Sequence, residues 1–486
     1  MEREIKLEVL HPELWQEVLA HPLVQAETLA EREMHAIYFD GRDGALRAAG
    51  IAYRVRREGE DWVATVKLAG SALGGLHQRP EWNVPVYNNL PDLRVFSDPE
   101  LQARLTPFFG LDLVPTIETA FQRREREISY QDSRILLAAD WGEIRAGGQL
   151  RAIHEIELEL VEGEVADLLQ LASALCASLP LCPNDASKLA RGLALVQKMP
   201  VVQAPESTEL RGREGAGTAL GRLLLLRAQG ILSDLAQRQL NDSRALHELR
   251  KEVRALRALL RFSKGADPED RLRGVRNGLA VWFHEQSLRR DLDSLAEHWL
   301  GLAPKLGMDP VALQQALTGL HSPARDLRVD ARARLAAELL ALWAQLLRYP
   351  LQDEETLREY SEERLRRMDE HLAFSDPDQV ADFHRLRIAL KHLRYTLHFL
   401  ESLWPSKDRK ALQKQLAVLL DAAGVIRDAQ IAQQQLPHLI STGSISKELA
   451  FSAGVLLGYL EGRREREIRR FRKHWERLRE AERPWD

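Results

Sequence analysis

Charged or polar side chains recur at every second position in four separate stretches of this chain. Glu2, Glu4, Lys6 and Glu8 form one such row, Arg54 and Arg56 a second, Thr65 and Lys67 a third, and Glu155, Glu157 and Glu159 a fourth. In an extended strand, residues i, i+2 and i+4 share a face. Each row therefore lies on one side of a strand whose other side is apolar, as Ile5, Leu7, Val55, Val66, Ile156 and Leu158 indicate. A single row reads as the wet face of a sheet. Four rows of opposite charge describe an interior that needs partners, because buried unpaired ions are strongly disfavoured. Clustered carboxylates offer hard oxygen ligands to Mg²⁺ or Mn²⁺, and Arg and Lys hold phosphate oxygens. Together the rows point to metal-assisted phosphoryl chemistry.

A second pattern is basic and helical. HELRKEVRALR at 247–257 and HRLRIALKHLR at 384–394 carry His and three basic residues at matching offsets. On a helix, His247, Arg250, Arg254 and Arg257 fall on one stripe, and His384, Arg387, Lys391 and Arg394 repeat it. Like charges in a row repel unless an anion lies along them. Each copy is followed by an Arg-Asp pair, in RDLD at 290–293 and RDAQ at 427–430. A unit used twice implies two related helical bundles. The mixed-charge run from Arg463 to Arg483 reads instead as a solvated helix face. For His247 and His384, phosphate contact or a packing hydrogen bond is expected ahead of metal ligation.

The elements that must position these residues follow from texture. A chain of 486 residues calls for two or three compact units. Period-2 alternation in 51–57, 62–68, 117–123, 135–139 and 153–160, broken by turn signals such as GRDG at 41–44, predicts an antiparallel sheet or closed barrel. Helices are expected over about 163–178 and 184–197. Residues 199–216 are rich in Pro, Gly and charge and read as a linker. Beyond them, Leu and Ala at spacings of three and four predict helices almost to the end. No apolar run approaches the roughly 20 residues of a membrane span, and the charged opening residues, without an apolar core, lead us to expect no export signal. Cys176 and Cys182 read as ordinary thiols in a reducing compartment. The expectation is a cytoplasmic protein with neither membrane nor nucleic acid as partner.

Glu2-x-Glu4-x-Lys6 resembles the ExExK motif that opens the CYTH domains, the triphosphate tunnel metalloenzymes. Further matches follow in order: Tyr38 to Asp40, Arg54-x-Arg56, Trp62 with Thr65-x-Lys67, HQRPEW at 77–82, Arg123, Asp140-x-Gly142, Glu155-x-Glu157-x-Glu159 and Lys188-x-x-Arg191. The resemblance covers residues 1–198. It implies an eight-stranded antiparallel tunnel barrel with flanking helices, in which Glu2, Glu4, Glu155, Glu157 and Glu159 ligate Mg²⁺ or Mn²⁺. Lys6, Arg54, Arg56, Lys67, Arg79 and Arg123 would hold phosphate oxygens, with Lys188 and Arg191 gating the tunnel mouth. Glu81 is expected either to join the metal's surroundings or to pair with Arg79, the second ahead of the first.

The HxxRxxxRxxR helices resemble the CHAD domain, the conserved histidine α-helical domain, over residues 217–486. That likeness implies two pseudo-symmetric four-helix bundles whose basic groove, lined by the two stripes, binds inorganic polyphosphate. Lys391 departs from the pattern by lacking a guanidinium fork. The expected fold class is thus α+β with two domains, and the expected activity is hydrolysis of inorganic triphosphate to pyrophosphate and phosphate. A non-catalytic polyphosphate-binding scaffold and a hydrolase of nucleoside or thiamine triphosphate are the rival readings.

Overall fold

The computed structural model describes residues 1–25, 30–196, 209–240, 242–319, 330–373, 380–442 and 446–485. The expected linker 199–216 lies outside the described residues up to residue 208. Strands come first: β1 (Glu2–Val9), β2 (Ala30–Gly41), β3 (Ile51–Glu58), β4 (Asp61–Leu68), β5 (Ser71–Leu73), β6 (Leu76–Arg79), β7 (Glu81–Val86), β8 (Leu113–Tyr130), β9 (Ser133–Ala146), β10 (Gln149–Glu162) and β11 (Leu181–Pro183). The order is β5-β6-β1-β10-β9-β8-β2-β3-β4-β7, with β11 also on β1.

The two ends of this path meet in one stretch of chain. β6 pairs with β1, Arg79 opposite Glu2, whereas β7 pairs with β4, Glu81 opposite Lys67. Only Pro80 separates them. Proline has no N–H to continue a ladder, and here its carbonyl accepts from the Leu68 amide at 3.1 Å. Residues 76–86 therefore act as one strand that changes neighbour at Pro80 and closes the sheet into a ring. Counted this way the ring has the expected eight strands, and the three-residue β5 and β11 are additions to it.

Register places the charged rows on the inside. Glu4 faces Glu159 and Lys6 faces Glu157 across β1 and β10, while Ile5 and Leu7 point outward and are fully buried. The helix Val165–Ser178 covers β1, β9 and β10 with Leu168, Leu171 and Leu175. The helix Ala331–Arg348 packs on it in turn, Ser173 Oγ donating to the Ala337 carbonyl at 2.8 Å and Arg348 pairing with Asp167. Contact grouping accordingly gives a first unit of Met1–Glu206, Leu225–Arg238 and Asp326–Tyr349, and a second of Ser207–Leu224, Gln239–Arg325 and Pro350–Asp486.

The second unit is helical. The helix Ser243–Phe262 buries Leu249, Val253, Leu256 and Leu260, the apolar stripe read from sequence, and packs against the helices Arg273–Glu285 and Val380–Phe399. A separate core forms where the helices Ser287–Leu302, Val311–Gly319, Ser406–Thr442 and Lys447–Arg479 meet, around Trp299, Leu317, Leu436 and Leu456. Among the described residues, no helix is long and apolar enough to cross a membrane.

Candidate active site

Inside the ring is a cavity of about 310 Å³. β1 contributes Glu2, Glu4 and Lys6, β3 Arg54 and Arg56, β4 Lys67, β6 Arg79, β8 Arg123 and β10 Glu157 and Glu159. The alternation of each strand thus delivers its polar set to one space. Eight basic and seven acidic side chains line it, so the wall is close to neutral. A polyanion entering such a space must bring cations of its own, since neither sign is in large excess.

Most of the charges are paired. Lys6 Nζ donates to Glu4 at 2.9 Å and also pairs with Glu157. Lys67 bridges Glu2 at 2.7 Å and Glu81 at 2.7 Å, and Arg79 reaches Glu2 at 3.2 Å and Glu4 at 2.9 Å. Glu81 therefore pairs with Lys67 rather than with Arg79 as expected, because β7 runs beside β4. Two groups stand apart. Glu159 makes no ion pair or hydrogen bond with any described residue, with Lys67 the one cation acting on it, while Arg54 Nε is buried without a hydrogen-bond acceptor. The remaining nitrogens of Arg54 have only Tyr38 OH at 3.3 Å and Glu81 at 4.0 Å, and Arg56 pairs with Glu58.

The electrostatics follow from this pairing. Burial pushes Glu2 up to about 7, helped by a hydrogen bond shared with Glu81 and by the Glu4 charge. Against burial, that same hydrogen bond and the Lys67 and Arg54 charges hold Glu81 well below the usual range, so the two carboxyls share a proton. Glu4 lies at about 2, since Lys6, Lys67 and Arg79 outweigh its burial. Burial and the charges of Glu4 and Glu81 raise Glu159. Arg56 is brought down to about 10 by burial and by the Arg54 charge beside it.

Three acids, Asp140, Glu155 and Glu157, have oxygens within 4.8 Å of one another, the spacing a cation needs. Lys188 fills that role. Its ammonium donates to Asp140 at 2.7 Å and to Glu157 at 3.0 Å and also pairs with Glu155. Arg123 adds two bonds of 2.7 Å to Asp140 and one of 2.5 Å to Glu157, and Arg191 pairs with Glu155. Lys188 and Arg191 are 6% and 2% exposed, and both are held by their acids, Lys188 on the cavity wall itself. Glu155 sits with them in the acid cluster, outside the cavity lining. Asp140 was visible in sequence only as part of a motif. Its partnership with Arg123 comes from the β8–β9 register, where the two face each other. Arg124 points away, to Glu31.

The helix Lys188–Val196 brings Lys188 and Arg191 to this place. Leu189, Leu193 and Leu195 pack onto Tyr38, Ile117, Phe121 and Ile144 of the barrel. A second cavity of about 240 Å³ adjoins the first through shared Tyr38, Lys67, Arg79 and Leu189, and its wall includes Phe39, Tyr53, Leu68 and Leu193. Sequence reasoning missed this chamber, because its apolar wall of Tyr53, Leu68 and Leu193 read only as core.

In the helical unit the structure brings the two basic stripes together. Arg250, Arg254 and Arg257 gather over the Phe283 ring, 4.1, 5.2 and 4.9 Å from its centroid. Burial, with the Arg427 and Arg254 charges, lowers Arg387 to about 10. Burial, with Arg387 and Arg254, lowers Lys391 to about 7. His247 and His384 share these two helices, and Arg394 is exposed. The two Arg-Asp motifs noted in sequence meet here, Arg427 lying 3.5 Å from Asp291, and Asp428 accepts His298 at 2.8 Å.

Residues 1–193 match the CYTH domain model and residues 226–437 the CHAD domain model. An inorganic triphosphatase of Haemophilus influenzae is 34% identical over 164 residues, covering 33% of this chain and 45% of that protein. The match thus spans less than half of the relative. The crystal structure of a CHAD domain from Ricinus communis aligns at 22% identity over 58% of this chain and 97% of the other, with a TM-score of 0.44. A Hippeastrum protein described by a dominant triphosphatase activity aligns at 22% identity over 36% and 86%, with a TM-score of 0.27.

Proposed function

We infer that this chain, which joins a CYTH domain to a CHAD domain, is a metal-dependent inorganic triphosphatase whose helical half binds inorganic polyphosphate. One observation carries the reading. In a nearly neutral cavity, Arg54 has a buried N–H group without an acceptor while Glu159, on another strand, makes no ion pair with any described residue. A phosphate chain together with a divalent cation would satisfy both at once. The relative named as an inorganic triphosphatase supports the same substrate.

The donor set suits Mg²⁺ or Mn²⁺, being carboxylate oxygen throughout. Glu159, Glu2 and Glu4 are the residues that would hold it, with Glu157 beside them; the Asp140–Glu155–Glu157 cluster already has Lys188 as its cation. When bound, the cation supplies charge neutralisation to the phosphate oxygens. Arg54, Arg56, Arg79 and Arg123 would orient the chain by bidentate contacts and stabilise charge on the transferring phosphoryl group. Lys6 and Lys67 would add point charges. A tunnel carboxylate would take the proton of the attacking water.

In the helical half, the Arg427 and Arg254 charges help to lower Arg387, and the Arg387 and Arg254 charges help to lower Lys391, with Asp291 and Asp428 as the opposing acids. A linear polyanion laid along them would relieve that repulsion. Cys176 and Cys182, buried and unbridged, suit a reducing compartment and support a cytoplasmic location. The chamber beside the tunnel, with its apolar wall, favours a second reading, in which the triphosphate carries an organic group. Phosphate release from inorganic triphosphate, ATP and thiamine triphosphate, each with metal and with chelator, tests both. Metal-dependent release from inorganic triphosphate above the others is expected; release from none of them would sink the enzyme.

A further inference from the structure

The helical unit holds a cavity that the two basic stripes do not use. It measures about 500 Å³ and lies among the helices Ser243–Phe262, Leu357–Ala373 and Val380–Phe399. Its position on the last of these is a matter of phase. Arg385, Ile388, Ala389 and His392 line it, whereas His384, Arg387 and Lys391 belong to the stripe, about a quarter turn away.

The cavity has two chemistries. Phe262, Met368, Ile388 and Ala389 make an apolar floor, and Arg261, Arg364, Arg367 and Arg385 make a basic rim. Arg367 is held by Glu363 at 2.7 Å. Arg261 and Arg364 meet no carboxylate among the described residues: Arg364 lies 5.8 Å from the centre of the Tyr360 ring, and Arg261 donates to His392 Nδ1 at 3.2 Å. That bond makes Nδ1 an acceptor, so His392 is neutral; burial and the Arg261 and Arg257 charges hold it at about 4.

We propose that this pocket is a separate binding site for a nucleoside di- or triphosphate. The floor decides against an inorganic phosphate chain, which would gain nothing from covering Phe262 and Ile388 and would lose hydration there. The rim decides against a fatty acid, whose single charge would leave guanidinium groups unmatched. A flat heterocycle on the floor with phosphates spread over the rim uses both, guanidinium being suited to bidentate phosphate contact. The size fits, small-molecule sites running from about 300 to 1,000 Å³. This inference does not depend on what the tunnel hydrolyses.

Photolabelling the full chain with 8-azido-ATP, in excess inorganic triphosphate to occupy tunnel and stripes, tests it by peptide mapping. Label is expected on the segments 258–262, 364–371 or 385–396. Arg364→Ala, which removes a half-buried rim charge, and Ala389→Trp, which fills the floor, should each cut labelling by about tenfold or more and leave phosphate release from triphosphate unchanged. Circular dichroism checks that both variants fold, and the rim variant keeps the test alone if the floor variant does not. Label elsewhere, label abolished by inorganic triphosphate, label retained in Arg364→Ala, or displacement by laurate but not by ATP would each overturn the proposal.

Discussion

Lys188 holds three carboxylates at once, and this makes it a structural cation before anything else. Replacing it by Met would leave Asp140, Glu155 and Glu157 sharing only Arg123, Arg191 and Lys6. Removing one partner of a buried ionic group costs about 3–5 kcal/mol. Lys188→Met should therefore lower the urea midpoint markedly, whereas a residue that merely gates an entrance would leave it unchanged. Glu159 has the opposite character, a half-buried acid without an ion pair among the described residues. Glu159→Gln should leave stability within about 0.5 kcal/mol of the parent or raise it, yet shift the metal concentration for half-maximal phosphate release upward by at least about tenfold. Lys391 carries a pH prediction. With its ammonium titrating at about 7 in the free chain, a bound polyphosphate would hold the proton on, so binding takes up a proton. Polyphosphate affinity should fall as pH rises from 6 to 8, and Lys391→Arg should flatten that slope. Stability of the free chain moves the other way. Between about 7 and the ordinary 10.5, the unfolded chain binds the proton that the folded chain has lost, so folding strengthens with rising pH.

At the scale of elements, the barrel depends on close approach between β8 and β9. A Cβ on Gly142 would fall 2.2 Å from the Ala120 carbonyl and 2.5 Å from Phe121 Cα, both backbone atoms. Gly142→Val should thus destabilise the barrel by about 2 kcal/mol or more, and because it disturbs the strand that carries Arg123, phosphate release should fall with it. Much of this element was legible from the chain alone. Period-2 alternation identified which face of β1, β3, β4 and β10 is charged, since the pleat leaves a side chain no third direction. Which charges meet was not legible, because that depends on register between strands far apart in sequence: Arg123 with Asp140, Lys67 with Glu81, Lys188 with a trio drawn from two strands. The stripe on the helix Ser243–Phe262 was readable for the same reason as the strand rows, through a fixed period. Phe283, which gathers its three arginines, comes from another helix and left no signal of its own.

At the scale of the molecule, unit boundaries do not follow the compositional change near residue 200. The helix Ala331–Arg348, more than a hundred residues beyond it, groups with the barrel and covers the helix Val165–Ser178. Nothing in its Leu- and Ala-rich sequence distinguishes it from its helical neighbours, so its allegiance could be seen only in three dimensions. A fragment ending at residue 198 would expose the apolar face that Leu339 and Leu342 share in burying. It should unfold at lower urea than the whole chain and bind a hydrophobic dye, and similar midpoints would show that the covering helix contributes little.

The path of β1 has a consequence in time. Its ladder partners are β6, β10 and β11, and β10 ends at Glu162. During synthesis β1 must wait for some 150 further residues, roughly eight to thirty seconds at ordinary elongation rates, before both its edges are covered. Glu2, Glu4 and Lys6 keep that waiting edge hydrated and unattractive to other strands. The charges that later face one another across the tunnel thus serve first to protect an unfinished chain.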